Sequence, residues 1–137
     1  MTYMEAHHYL LKFGIRPSVQ RTAVMEYLMN FKSHPTVEEI YVALSPSIQT
    51  LSKTTVYNTL NLFHKMGAVQ TLSIDDKNLR FDADVTRHAH FYCRNCGQVH
   101  DIFDVNQEYF NIPGNEKFKI DAVEISYYGQ CNTCKGS

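Results

Sequence analysis

The chain has 137 residues, of which 44% are apolar and 12% aromatic, enough to fill the core of one domain or of two small ones. It contains no long apolar run and no signal-peptide pattern, so we expect a cytoplasmic protein without a membrane-spanning segment. The net charge of −1 is unevenly distributed: residues 1–70 carry six basic and four acidic side chains, and residues 71–137 carry seven basic and ten acidic ones. This distribution is compatible with nucleic-acid binding by the first half and cation binding by the second.

The first third of the sequence predicts three helices. The first covers residues 3–13. Ser18 can cap a second helix. Its apolar face is predicted to consist of Val24, Tyr27, Leu28 and Phe31. In the third helix, Thr36 and Glu39 have the spacing of a capping box. Its apolar face is predicted to consist of Val37, Ile40, Tyr41 and Leu44.

The fourth predicted helix begins after Ser52, ends at Gly67 and has two contrasting faces. The apolar face consists of Val56, Thr59, Leu60 and Phe63. The opposite face has hydrogen-bonding groups and no acid, and consists of Thr54, Tyr57, Asn58, Asn61 and Lys65. Such a face suits the major groove of DNA, because base edges need donors and acceptors while phosphates repel carboxylates. A solvated helix face is the equally good alternative.

Two short strands follow, at residues 68–74 and 79–83, around turn residues 75–78. Helices followed by a hairpin predict a winged helix-turn-helix, and this favours the DNA-binding interpretation of the fourth helix. The first domain is therefore predicted to be a DNA-binding domain at residues 1–83.

The pattern changes in the remainder of the chain, where strands alternate with a short helical piece. Strands are predicted at residues 90–93, 98–103 and 119–129, and the helical piece near 105–110. We therefore predict an α+β protein in which a small α/β domain occupies residues 84–137.

All four cysteines lie in this second domain as two C-x-x-C pairs, namely Cys93, Cys96, Cys131 and Cys134. In a chain without a secretory signal, two such pairs predict a tetrathiolate zinc site rather than disulfides. Four thiolates fill the tetrahedron, so this Zn(II) is expected to be structural and not catalytic. A thioredoxin-like redox motif and a rubredoxin-like iron centre are the alternatives.

A second set of metal-binding groups overlaps the first cysteine pair in sequence. His88 and His90 alternate along a predicted strand, so both face one side, and Asp101 can reach them from the next strand. Asp82 lies just before the domain boundary. Nitrogen and oxygen ligands of this kind suit exchangeable Fe(II), Mn(II) or Zn(II), whereas the alternative is two surface or hydrogen-bonded histidines. The histidines predicted to lie outside any metal site are His7, His8, His64 and His100.

The order and spacing of these motifs resemble the ferric uptake regulator family of metal-dependent bacterial repressors over nearly the whole chain. The matching segments are HPTVEEIYVAL, TTVYNTLNLF, RFD, HAH followed by CRNCG, and YYGQCNTC. The peroxide-responsive branch is the closer resemblance. The iron-sensing type commonly has glutamate where Asp82 or Asp101 stands, and often a further histidine where this chain reads DAVEISYYG.

The resemblance implies a structural Zn(II) on the four cysteines and a regulatory Fe(II) or Mn(II) on five other side chains. These five are His34, Asp82, His88, His90 and Asp101. His34 enters the set through the resemblance alone. The regulatory ion is expected to join the DNA-binding domain to the second domain and so to set the angle between them.

The resemblance also implies homodimers formed through the second domain, and operators that are inverted repeats in double-stranded DNA. Tyr57 and Asn58 match operator-contacting positions. We therefore expect a metal-dependent transcriptional repressor that senses peroxide, with His34 and His88 as the oxidation-sensitive residues.

Two alternatives remain at this point. An iron-level sensor of the same architecture is the nearer one, ahead of a zinc or manganese sensor. A metal-dependent enzyme is the more remote one. It is disfavoured because every plausible carboxylate is used as a ligand, which leaves no general base beside the ion.

Overall fold

A computed structural model of the chain describes residues 2–75, 77–111 and 117–134. The chain divides into two compact units, Met1–Val85 and Thr86–Ser137. Helices occupy most of the first unit and a small sheet organises the second, so the protein is α+β. In the described part of the chain, none of the helices has the length and apolarity needed to cross a bilayer.

The first unit contains the four predicted helices. They are α1 (Tyr3–Lys12), α2 (Val19–Asn30), α3 (Val37–Leu44) and α4 (Lys53–Lys65). Each begins after a hydroxyl side chain that accepts a hydrogen bond from the backbone N–H three residues further on; these caps are Thr2, Ser18, Thr36 and Ser52. The capping box of Thr36 and Glu39 is complete in both directions, which confirms the predicted start of α3.

The helices enclose the core of the first unit. α4 buries the four residues predicted for its apolar face, Val56, Thr59, Leu60 and Phe63. α2 buries Val24 and Leu28 as predicted, and Met25 beside them. The prediction for Phe31 is wrong, because α2 ends at Asn30 and the Phe31 side chain is 57% exposed, with its ring against that of Tyr27.

A two-stranded antiparallel hairpin follows the helices. It consists of β1 (Gln70–Leu72) and β2 (Arg80–Asp82), with Gln70 opposite Asp82. Position 76 of the predicted turn lies outside the described residues. The first unit thus has the predicted winged helix-turn-helix arrangement.

The second unit contains a three-stranded sheet and a short 3-10 helix at Gln107–Phe110. Its strands are β3 (Ala89–Cys93), β4 (Val99–Ile102) and β5 (Ser126–Gly129), and they lie in the order β4-β3-β5. β3 pairs antiparallel with β4 and parallel with β5. The helical piece predicted near residues 105–110 is therefore confirmed, as a single 3-10 turn.

The strand predicted over residues 119–129 is too long, because only its last four residues form β5. β3 is only five residues long and pairs with Ser126–Gly129, so the residues before Ser126 do not continue the strand. The side chains before Ser126 alternate in polarity without being buried: Ile120 is 49% exposed and Val123 38%. Alternation in the sequence was therefore not a sign of pairing there.

Candidate metal centres and nucleic-acid-binding face

The four cysteines lie at one end of the sheet in the second unit. Cys93 ends β3, with Cys96 in the turn that follows, and Cys131 and Cys134 follow β5. Because β3 and β5 are parallel, with Cys93 opposite Gly129, the turns after both strands meet at the same edge. The sheet topology thus brings the two C-x-x-C pairs together.

The geometry of the four sulfur atoms fits a tetrahedral metal ion. All four lie within 4.8 Å of one another, and the sulfur atoms of Cys96 and Cys131 are 3.9 Å apart. Zinc–sulfur bonds of about 2.3 Å in a tetrahedron place the sulfur atoms about 3.8 Å apart. A disulfide requires about 2.05 Å, and the four cysteines are free thiols.

The protonation of the thiols also points to a cation. The backbone N–H groups of Cys96 and Cys131 donate to the Cys93 sulfur at 3.5 and 3.4 Å and lower the pKa of Cys93 to about 6. The side chain of Asn95 lowers the pKa of Cys134. Hydrogen bonding with the Cys131 thiol and burial outweigh this effect and raise the pKa of Cys134 to about 11. A divalent ion among the four sulfurs would favour their ionising together, because its charge offsets the repulsion between neighbouring thiolates.

His34 and Asp82 are in contact within the first unit. His34 lies between α2 and α3, and Asp82 ends β2. The His34 Nε2 atom lies 3.5 Å from Asp82 Oδ2, and the two side chains are only 3% and 7% exposed. A buried imidazole beside a buried carboxylate is a donor pair that suits a first-row divalent metal.

The backbone of His34 is unusual. Its φ angle is 54°, in the left-handed region, and no other described residue except glycine has a positive φ. This conformation costs a residue with a Cβ atom about 1–2 kcal/mol, although histidine adopts it more often than most residues. Surrounding contacts must therefore hold His34 in place.

A second group of donors lies within the second unit, around Asp101. One Asp101 oxygen, Oδ1, lies 3.1 Å from Nε2 of His88 and 3.3 Å from Nε2 of His90. His90 and Asp101 are directly opposite each other on β3 and β4, and the two imidazole rings are 4.5 Å apart. The predicted contact of the three side chains is present, but His88 lies just before β3 and not in the strand that the alternation predicted.

The orientation of His88 is set by two further contacts. Its Nδ1 atom lies 2.7 Å from the Thr86 carbonyl oxygen, and its ring stacks on Phe103 with 4.7 Å between centroids. A carbonyl oxygen can only accept, so Nδ1 is the donor to Thr86. The other ring nitrogen, Nε2, faces the Asp101 carboxylate, and a proton or a metal ion must lie between these two acceptors. His100 is exposed on the other side of β4, near Phe91.

The predicted polar face of α4 is exposed along its whole length. Its members are Thr54, Tyr57, Asn58, Asn61 and Lys65. Tyr57 is 50% exposed, and α4 contains no acidic side chain. Beside this face lies an open depression lined in part by Arg16, Arg21, Thr55 and Asn58.

Sequence reasoning missed the two arginines of this depression. Arg21, in the first turn of α2, donates to the carbonyl oxygen of Arg16, which precedes α2, at 2.9 Å, and both positive charges lie beside α4. The signal available in the sequence was the pair of arginines in GIRPSVQR. Positive charge next to a polar helix face suits contact with a phosphate backbone.

The sequence is similar to those of peroxide regulators from two bacteria. The Peroxide-responsive repressor PerR of Staphylococcus epidermidis is 37% identical over 131 residues, which cover 92% of this chain and 85% of that protein. The Peroxide operon regulator of Bacillus subtilis is 36% identical over 135 residues, which cover 95% and 91%.

Solved structures share the fold. The ferric uptake regulator of Helicobacter pylori matches with a TM-score of 0.73 at 20% identity, covering 100% of this chain and 96% of that one. PerR from Streptococcus pyogenes matches with a TM-score of 0.54 at 27% identity, covering 97% and 92%. A model of the Ferric uptake regulator family matches residues 12–128. The chain therefore belongs to the ferric uptake regulator family.

Proposed function

We propose that this protein is a dimeric, metal-dependent transcriptional repressor that senses peroxide through a bound Fe(II) or Mn(II) ion. The observation that carries the proposal is the Asp101 carboxylate, which contacts the imidazoles of both His88 and His90. The curated relatives at 36–37% identity, which are named for peroxide regulation, support the same function. The family consists of transcriptional regulators, and this argues against the metal-dependent enzyme.

The sulfur site has a structural role in this proposal. Zn(II) on Cys93, Cys96, Cys131 and Cys134 has no open coordination position, so it ties the turns after β3 and β5 together and takes no part in sensing. The second unit is small, and a structural zinc supplies on the order of 10 kcal/mol of apparent folding free energy.

The regulatory ion takes its ligands from both units. His34 and Asp82 are the donors of the first unit, and His88, His90 and Asp101 are those of the second. The support is that each group is buried or half-buried and already in contact within its own unit. An ion held by both groups favours the arrangement of units that binds DNA, and only its differential affinity for that arrangement shifts the population.

The partners are a second copy of the chain and double-stranded operator DNA with an inverted repeat. The polar face of α4 contacts the operator, with Tyr57 and Asn58 at the bases. The second unit supplies the dimer contacts, because β5 is an edge strand whose Tyr127 and Tyr128 are each 45% exposed. A repressor of this kind works beside the chromosome, in the cytoplasm.

Peroxide acts on the imidazole ligands. Bound Fe(II) supplies electron-transfer chemistry with peroxide, which Mn(II) supplies poorly and Zn(II) not at all. One oxygen atom of the peroxide is added to the ring of His34 or His88, and the other leaves as water. The oxidised ring is a poorer ligand, so the two units lose their common ion and the operator is released.

Peptide mass spectrometry of Fe-loaded and Mn-loaded protein after a low dose of peroxide, with operator binding measured in parallel, tests the proposal. We expect one added oxygen atom on the peptide of His34 or His88 in the iron sample only, together with loss of DNA binding. Release of DNA with both histidines intact would contradict peroxide sensing. Release upon iron removal but not after peroxide treatment of the Fe-loaded protein identifies the iron-level sensor instead.

A further inference from the structure

Strand β2 is attached to the segment that carries His34 at three successive residues. Arg80 Nη1 donates to the His34 carbonyl oxygen at 3.1 Å. The Phe81 N–H donates to the Pro35 carbonyl oxygen at 3.1 Å, and the Asp82 carboxylate lies 3.5 Å from His34 Nε2. Both the backbone and the imidazole of His34 are thus in contact with one strand of the hairpin.

The local sequence does not favour the conformation of His34. A residue before proline is restricted towards extended conformations, yet His34 precedes Pro35 and has a φ of 54°. A conformation that the chain does not choose locally persists only where tertiary contacts impose it. The bond from Arg80 is a contact of this kind, made directly to the peptide group of His34.

Arg80 is itself held in a fixed position. Its Nε and Nη2 atoms donate to one Asp75 oxygen at 3.2 and 3.1 Å, and Nη1 lies 3.8 Å from Glu39 Oε1. The Arg80 side chain is only 13% exposed. The Lys77 N–H, and after it the Arg80 side chain, lowers the pKa of Asp75, which keeps this carboxylate ionised. The guanidinium is therefore anchored before it reaches His34.

We propose that Arg80 is a positioning residue for the regulatory metal: clamped by Asp75, it holds the His34 peptide so that the imidazole is presented beside Asp82. This inference rests on the proposed function, because it takes His34 to be a metal ligand. It adds a residue outside the five donors and makes the turn of the hairpin, through Asp75, part of what sets metal affinity.

The sign of the effect separates positioning from electrostatics. A guanidinium near a cation site repels the cation, so removing the charge of Arg80 should tighten metal binding if charge were all that mattered. If Arg80 positions His34, removing it should weaken metal binding. Loss of an outer partner of a metal ligand typically weakens affinity by about ten- to hundredfold.

The experiment compares Arg80→Gln, Arg80→Lys and Lys77→Gln with the unaltered full-length dimer. Mn(II) affinity is measured by titration of zinc-loaded protein, well below the onset of unfolding of each variant. Zinc content and melting temperature are measured on the same samples. Lys77→Gln is the matched control, because it removes a positive charge from the same hairpin while the Lys77 side chain is exposed and outside the network.

We expect Arg80→Gln to weaken Mn(II) binding by about tenfold and Arg80→Lys, which keeps the charge but loses the two-pronged geometry, by a smaller factor. Lys77→Gln should bind Mn(II) as the unaltered protein does. Unchanged or tighter Mn(II) binding by Arg80→Gln overturns the inference, even if its melting temperature falls. Should Arg80→Gln not fold, Arg80→Lys decides: weaker binding supports the inference and equal binding overturns it.

A His34→Asn variant distinguishes failure of this inference from failure of the proposed function. Asparagine tolerates the left-handed conformation but lacks the imidazole. If His34→Asn binds Mn(II) as tightly as the unaltered protein, His34 is not a ligand, and both the ligand assignment and the inference fall. If it loses Mn(II) while Arg80→Gln does not, only the inference falls.

Discussion

The two donor sets of this protein are built on different principles. The sulfur set comes from two turns at one edge of one sheet, all within the second unit, and has no coordination position to spare. The nitrogen and oxygen set is divided between a group in the first unit and a group in the second. The difference teaches that a closed, local set can serve stability, whereas under the proposed function a divided set lets metal occupancy regulate DNA binding.

The largest expected effect comes from breaking the sulfur set. Cys96→Ser should lose zinc and unfold the second unit, because three thiolates cannot complete the tetrahedron and on the order of 10 kcal/mol of apparent folding free energy depends on the metal. Zinc content, circular dichroism and sedimentation check this. Thr133→Ser, in the other cysteine turn, is the control and should behave as the unaltered protein. A folded, dimeric and zinc-free Cys96→Ser protein would show that the sulfur set is not structural.

Breaking the nitrogen and oxygen set should instead leave a folded protein. His34→Asn is expected to retain zinc and its dimeric state but to weaken Mn(II) binding by more than about a hundredfold. Loss of a residue that only positions a metal ligand typically weakens binding by less than this. Metal titration and operator binding with and without Mn(II) measure this. If the variant loses its zinc as well, the two sets are not independent and the contrast between them is wrong.

The face of α4 lies outside both sets and should respond separately. Tyr57→Ala is expected to weaken operator binding by about tenfold, as loss of one base contact does, with both metal contents unchanged. Tyr57 is half exposed and lies opposite the buried side of α4, so stability should hardly change. Val42→Ala on α3, also exposed, is the control. If Tyr57→Ala unfolds the protein, the Tyr57 side chain contributes to the core and the assignment of the α4 face is wrong.

The smallest effect is expected from His100→Ala. His100 is one residue from Asp101 in sequence, but it is exposed on the other side of β4 and its ring lies 6.3 Å from that of Phe91. Mn(II) affinity and zinc content should stay within a factor of about two, the size of an ordinary surface substitution. A clear loss of Mn(II) binding would mean that the second-unit group is larger than three side chains.

Features that depend on neighbouring residues could be predicted from the sequence. The caps at Ser18, Thr36 and Ser52 are such features, since each involves a side chain and an N–H group three residues away. His90 and Asp101 face one side as strand alternation predicts, whereas His88 lies just before β3 and reaches Asp101 from outside the strand. The strand predicted before Ser126 failed because alternation does not reveal whether a partner strand is long enough.

Features that depend on distant contacts could not be predicted. The bond between Arg80 and the His34 carbonyl joins residues 46 positions apart, and the left-handed φ of His34 opposes what a residue before proline prefers. No periodicity in the sequence indicates either. The family resemblance supplied His34 as a ligand, but it gave no physical reason for the position of that residue.

The parallel pairing of β3 with β5 has a consequence during synthesis. Cys96 is made 35 residues before Cys131, an interval of about two to seven seconds on the ribosome. The helical first unit can begin to fold in that time from contacts already present in the nascent chain. The sulfur set, by contrast, cannot form until the second thiol pair has been made, so the second unit completes its fold later than the first.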